Sequence, residues 1–224
     1  MTWYKNILGY HFDLQTEIAL PDNVEWLFPY SNPETRRCMT DFYRRFYDDK
    51  RTRTMLVGIN PGRFGAGVTG VPFTDPLLLE TACQIPNDFP KRRELSSIFV
   101  YEFINALGGV ETFYQSFYIT SICPLGFIKD GKNYNYYDSR ALQDAVMPMI
   151  LENLKAQISF GANTEVVYSM GKGKNFKFLK ALNDEHELFE NVVPLPHPRW
   201  VMQYRLKSKD VFVEEYVQTL KGHL

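Results

Sequence analysis

The chain has 224 residues, a net charge of −1, 45% hydrophobic residues and 15% aromatic residues. That suffices for one domain with a substantial core and excludes disorder; it also excludes a wholesale basic footprint, so a polyanion has to be met by a local patch. No run approaches the ~20 apolar residues of a membrane span, and Met1 to Tyr10 lacks a signal-peptide pattern, so a soluble intracellular protein is expected, cytoplasmic in a bacterium or nuclear in a eukaryote.

Leu8 to Leu20 reads as a helix ended by Pro21 and Asp22-Asn23. Asn32-Pro33-Glu34 is a helix start, with Asn as cap and Pro in the first turn; Cys38, Phe42 and Phe46 follow at spacing four, up to Asp49-Lys50. Met55 to Ile59 then forms a buried parallel strand that runs into Asn60-Pro61 and four glycines, Gly62, Gly65, Gly67 and Gly70. Either this is a strand with an ordinary Gly-rich turn, or the loop brings its backbone close to a ligand. It lacks the Lys-Ser/Thr ending of a P-loop and the dinucleotide fingerprint with an acidic residue about 20 positions on, which removes most support for nucleotide hydrolysis and nicotinamide chemistry.

A short helix and a loop cover residues 74–90, and Leu95, Phe99, Phe103 and Leu107 line a helix closed by Gly108-Gly109. Phe117 to Cys123 is a second strand, leading through Pro124 into a polar loop, Leu125 to Asn135. A helix carrying Leu142, Val146, Met149 and Leu154 precedes the strand Val166 to Met170, the turn Gly171-Lys172-Gly173 and a helix with Phe176 and Leu179. Val192 to Leu195 is a fourth strand, ending in Pro196-His197-Pro198-Arg199, and a helix with Val211, Val217 and Leu220 follows. Strands alternating with helices predict a single α/β domain of three layers, α/β/α, around a mostly parallel four-stranded sheet. Asn60, the loop after Cys123, the Gly171 turn and His197 then gather on the carboxyl edge of that sheet, where open α/β sheets bind ligands.

His197 is one of four histidines, and prolines fix the backbone on both sides of it. The loop from Arg199 to Lys209 carries Arg199, Arg205, Lys207 and Lys209 with no acidic residue before Asp210. Within it, Trp200 to Tyr204 either closes the core over the last helix or forms a wedge that fills the space left by an extruded base. Lys172, Lys174, Lys177 and Lys180 form a second acid-free patch, either solvated or holding phosphate at the start of its helix. Cys38, Cys83 and Cys123 lie too far apart for a metal or cluster motif, and no carboxylate or histidine cluster follows the strands, so neither metal nor cofactor is expected.

The pairing of GINPGRFG…TGVPF (Gly58 to Phe73) with a later HPR (His197 to Arg199) resembles the single-strand-selective monofunctional uracil-DNA glycosylase family, within the uracil-DNA glycosylase superfamily. CPLGFIKDGKN (Cys123 to Asn133) is similar to a third segment of that family, and SNPETRR (Ser31 to Arg37) matches an NP dipeptide before a helix. The similarity spans about residues 29–215 of a single domain, 1–224, and Ile59, Arg63 and the short HPR mark a divergent branch.

The resemblance implies that His197 donates to the uracil oxygen where anionic charge accumulates, and that Asn60 holds the attacking water. Asn133 would read the flipped base, Phe73 would stack on it, and Gly58, Ile59 and Gly62 would line its pocket, with room for 5-modified uracils. Arg199, Trp200, Gln203, Arg205, Lys207, Lys172 and Lys174 are the expected DNA contacts. The expected activity is base excision from single- or double-stranded DNA by a monomer. No motif position supplies the lysine of a lyase step. Two other readings keep the fold: a glycosylase for hypoxanthine or xanthine, and a nucleic-acid-binding protein without catalysis.

Overall fold

Arg53–Gly58 is buried at all six positions, as a strand covered on both faces must be. A computed structural model describes residues 1–224. The chain runs α1 (Trp3–Phe12), β1 (Val24–Leu27), α2 (Pro33–Tyr47), β2 (Arg53–Gly58), α3 (Ala66–Thr69), α4 (Pro76–Thr81), α5 (Leu95–Ala106), α6 (Val110–Ser116) and β3 (Phe117–Ser121). It continues through β4 (Gly126–Lys129), β5 (Lys132–Tyr134), α7 (Arg140–Ser159), β6 (Ala162–Met170), α8 (Lys174–His186), β7 (Asn191–Leu195), α9 (Pro198–Tyr204) and α10 (Lys209–Leu220).

The main sheet has the order β3-β2-β6-β7, with every pair parallel. From β2 the chain first goes to β3 on one side and later to β6 on the other. Such a reversal opens a crevice at the carboxyl ends of the strands. Beyond β2 the backbone stays tied to the chain after β3, because Ile122 N–H donates to the Gly58 carbonyl (3.0 Å) and Cys123 N–H to that of Ile59 (3.1 Å). Asn60 is thereby presented at the floor of the crevice.

Three sequence expectations need correction. The segment 125–135 is not a polar loop: β4 and β5 form a hairpin that pairs with β1 in a separate antiparallel sheet. Asp130 (φ 49°) and Gly131 (φ 68°) supply the left-handed pair that a two-residue hairpin turn requires. The first helix spans Trp3–Phe12 and not Leu8 to Leu20, because the fully buried Trp3 anchors it, donating from Nε1 to the Arg51 carbonyl at 2.7 Å. The stretch after His197 is helical, with Pro198 in the first turn and a short 3-10 turn, Leu206–Ser208, before α10.

Arg53 holds the entry to β2. Fully buried, its guanidinium donates to Asp49 (2.7 and 2.9 Å) and to the Tyr114 (2.8 Å) and Phe46 (3.1 Å) carbonyls. Asp49→Ala is expected to destabilise the fold by about 3 kcal/mol in urea unfolding, because it strands a buried charge. Arg53→Met should cost less, since the partly exposed Asp49 can be solvated once its partner is gone.

Candidate active site

One cleft of about 680 Å³ opens at the carboxyl edge of the main sheet, and Ile59, Asn60, Gly62, Phe73, Asn133 and His197 all line it. Lys172, Lys174, Arg199, Trp200 and Gln203 stand around the same cleft, whereas Gly58, Arg205 and Lys207 do not face it.

Asn60 is fixed by the chain that leaves β5. Its Nδ2 donates to the Pro61 and Tyr134 carbonyls, each at 3.3 Å, and its Oδ1 accepts the Tyr136 N–H at 3.2 Å. Both amide hydrogens are therefore used, and what remains open is one lone pair on Oδ1. Two groups that the sequence reading missed support this arrangement. Asn175, buried at the start of α8, donates from Nδ2 to the Gly58 carbonyl (3.4 Å) and to Ser169 Oγ (3.4 Å), tying the ends of β2 and β6 together. Its Oδ1 accepts the Tyr136 hydroxyl at 3.0 Å, so one side chain braces both the strand that presents Asn60 and the segment that orients it.

His197 caps α9: its Nδ1 accepts the Arg199 N–H at 3.1 Å. A ring nitrogen that accepts cannot carry the proton, so the neutral ring is protonated at Nε2. Burial, reinforced by the Arg199 charge, pushes the imidazole pKa down to about 4. The backbone beneath is held by the Tyr216 hydroxyl, which donates to the Pro196 carbonyl at 2.6 Å.

Phe73 adopts a left-handed φ of 51°, a conformation costly for an aromatic residue and concentrated at functional sites. A Cβ on Gly58 would lie only 2.7 Å from the Phe73 ring, so Gly58 serves the cleft from beneath by letting that ring lie against the end of β2. Asn133 reaches across from β5, and its Oδ1 accepts the Arg63 N–H at 3.0 Å, which fixes which way its amide points. The Arg63 guanidinium is turned back onto the Gly131 carbonyl, so the Gly-rich loop and the hairpin are joined at the cleft wall.

At the rim, the Trp200-to-Tyr204 stretch is partly core and partly exposed. Val201 is fully buried against the core, whereas Trp200, Gln203 and Tyr204 remain exposed. Trp200 packs edge-on against Phe212, and the Arg205 guanidinium lies 4.9 Å from its ring centroid. The lysine patch is not acid-free in space: Lys172 pairs with Glu215 at 2.7 Å and Lys180 with Asp184 at 3.0 Å. Lys174 instead sits over the Tyr137 ring.

Glu94, also missed, is the only carboxyl group lining the cleft. Burial pushes its pKa up to about 7; Asp75 reinforces the shift, while the Ser97 hydroxyl and Arg199 oppose it.

A family model described as the uracil DNA glycosylase superfamily matches residues 45–221. Among solved structures, wild-type SMUG2 of Pedobacter heparinus is similar with a TM-score of 0.95 and 42% sequence identity, over 99% of this chain and 98% of that one.

Proposed function

The chain belongs to the uracil DNA glycosylase superfamily and is a uracil-DNA glycosylase; on that premise we propose that it is monofunctional, hydrolysing the bond between uracil and deoxyribose and leaving an abasic site. The observation that carries this reading is that Asn60 and His197 meet in one cleft with one free hydrogen-bonding position each, an acceptor on Asn60 Oδ1 and a donor on His197 Nε2.

As the bond lengthens, its electron pair leaves with N1 of the base, and positive charge develops on the sugar. His197, neutral and protonated at Nε2, donates to a uracil carbonyl oxygen on which the negative charge gathers. The open lone pair of Asn60 accepts from a water and aims it at C1′. An amide cannot remove a proton at neutral pH, so the sugar cation draws in the water and the proton is lost afterwards. Modest turnover follows.

Base selection rests on Asn133. With its orientation fixed by Arg63 N–H, its Nδ2 donates to a base carbonyl while the second lone pair of Oδ1 accepts a ring N–H, the pattern of uracil and the reverse of cytosine. Phe73 stacks on the flipped base, a contact worth roughly 1–3 kcal/mol. Entry of 5-substituted uracils is part of the proposal: Gly62 adds no bulk of its own, and Glu94 Oε1 and Asn133 Nδ2 bound the space beside it. Asn60, His197, Asn133 and Phe73 line a single cleft, and action as a monomer is part of the proposal.

DNA is proposed to cross the rim where Lys174, Arg199, Trp200 and Gln203 stand, with Arg205 and Lys207 further out and Lys172 partly neutralised by Glu215. The double substitution Arg199→Ala and Arg205→Ala is expected to weaken binding of uracil-containing DNA and to flatten the dependence of log K on log salt by about two, one for each lost phosphate contact. Lys172→Ala should change it less. The activity itself is tested with labelled oligonucleotides, single- and double-stranded, carrying one uracil, 5-hydroxymethyluracil, hypoxanthine or xanthine. Alkali-dependent breaks at uracil support the reading; breaks confined to hypoxanthine and xanthine would replace it with a purine-directed glycosylase.

A further inference from the structure

The chemistry above leaves the Glu94 carboxyl without a task, although it is held firmly in the cleft. The Glu94 N–H donates to Asp75 Oδ2 at 3.0 Å, and Oε2 accepts the Ser97 hydroxyl at 3.1 Å. Oε1 is turned toward Gly62: a Cβ there would lie 3.1 Å from Glu94 Oε1 and 3.3 Å from Asn133 Nδ2. The carboxyl and the base-reading amide thus converge beside the same residue. A Cβ on Gly65 would collide with Oε2, so the side-chain-free loop is also what makes room for the acid.

A base leaving as an anion spreads its charge over both carbonyl oxygens. His197 serves one, and the other falls to the Asn133 side of the cleft. An ionised carboxylate next to that oxygen would repel it, whereas a neutral carboxyl would donate to it and strengthen as the charge grows. We propose that Glu94 is a further catalytic group of this site, acting in its neutral form as a hydrogen-bond donor to the base carbonyl that Asn133 reads. This rests on the uracil-releasing reading. No proton is transferred: it stays on Glu94 while the electron pair of the broken bond departs with the base.

The surroundings favour the neutral form. Burial and Asp75, at the start of α4, oppose ionisation, and the carboxyl is pushed up to about 7. Arg199 of α9 and the Ser97 hydroxyl of α5 act the other way. On the Gly-rich loop the Arg63 guanidinium is turned onto Gly131, on the loop before α5 Arg92 lies over the Phe64 ring, and the hairpin offers the neutral Asn133. Entry of the base expels water and raises the cost of ionisation further.

The test is single-turnover uracil release between pH 5.5 and 8.5, values chosen to lie on either side of about 7, for the wild type, Glu94→Gln and Glu94→Ala. The wild-type rate is expected to be level at low pH and to fall about tenfold per pH unit once the carboxyl ionises. Glu94→Gln should be slower at low pH, because an amide is the weaker donor, and its lower rate should stay level across the range. Glu94→Ala should be about 10²-fold slower than the wild type at low pH, also without a fall. A wild-type profile that stays level, or a Glu94→Gln profile that falls in parallel with it, overturns the proposal. These comparisons are made within each variant, so a partly unfolded preparation does not mimic them. If the wild type releases no uracil at any pH, the proposed function fails as well; release with superposable profiles overturns the role of Glu94 alone.

Discussion

Replacing His197 with alanine is expected to slow uracil release by about 10²–10³-fold in single-turnover assays, the loss typical of one well-placed donor to a developing oxyanion. Binding of uracil-containing DNA should change far less, because the donor strengthens only as charge accumulates on the base. The imidazole is set up for this role as a neutral group. Its Nδ1 is occupied by the Arg199 N–H, and burial beside the Arg199 charge holds its pKa near 4. The sign follows directly: the ring is protonated only below about 4, so between pH 5 and 7 the active neutral form is already complete. No acid limb near the ordinary histidine value of about 6.5 is therefore expected in the rate profile. An acid limb there, abolished in His197→Ala, would mean that the ring titrates near its ordinary value, whereas a fall with rising pH that persists in Glu94→Gln would mean that an imidazolium is the donor.

The second large effect concerns Asn60, where alanine and aspartate substitutions fail for different reasons. Asn60→Ala removes the acceptor that positions the water, with an expected loss of about 10²-fold or more in single-turnover rate. Asn60→Asp keeps an acceptor and gains a potential base, yet it places a carboxylate oxygen where Nδ2 now donates to the Pro61 and Tyr134 carbonyls, each at 3.3 Å. Facing two acceptors, that carboxylate rotates away or takes up a proton. The expected result is a low rate for Asn60→Asp as well, partly restored at acidic pH, where the protonated acid can donate to one of the carbonyls. Wild-type activity in Asn60→Asp at neutral pH would show that the amide donor does not orient the side chain.

Strand ends were the legible part of this site. Met55 to Ile59 is an unbroken apolar run before Asn60, and Leu195 precedes His197; once the strands are parallel, both residues must lie on one edge. The hairpin is harder to read because its strands are short and carry lysines and Asn133, although Asp130-Gly131 is a hairpin signal in its own right. Helix α9 reads as a loop when its prolines are weighed as breakers, yet Pro198 stands in a first turn, where its missing N–H costs nothing. Long-range pairing explains the remainder. Lys172 meets Glu215, 43 residues away, so a local count of acids cannot show that it is neutralised. Glu94 precedes an ordinary amphipathic helix, and only the approach of Gly62, Gly65 and Asp75 places its carboxyl in the cleft. Asn175 is likewise an inconspicuous helix residue until β2, β6 and Tyr136 meet around it.

The most direct test of the central claim is the mass of a uracil-containing oligonucleotide, and of the small molecules released from it, after incubation with excess protein and before any alkali. The predicted result is an unbroken strand that has lost uracil and gained the elements of water, with free uracil in solution and both changes slowed about 10²–10³-fold with His197→Ala. An unchanged strand that nevertheless binds the protein would contradict the account and leave a binding protein on a glycosylase fold. A strand already cut at the uracil would contradict it differently, by showing a lyase step, for which Lys172 and Lys174 are the only lysines lining the cleft.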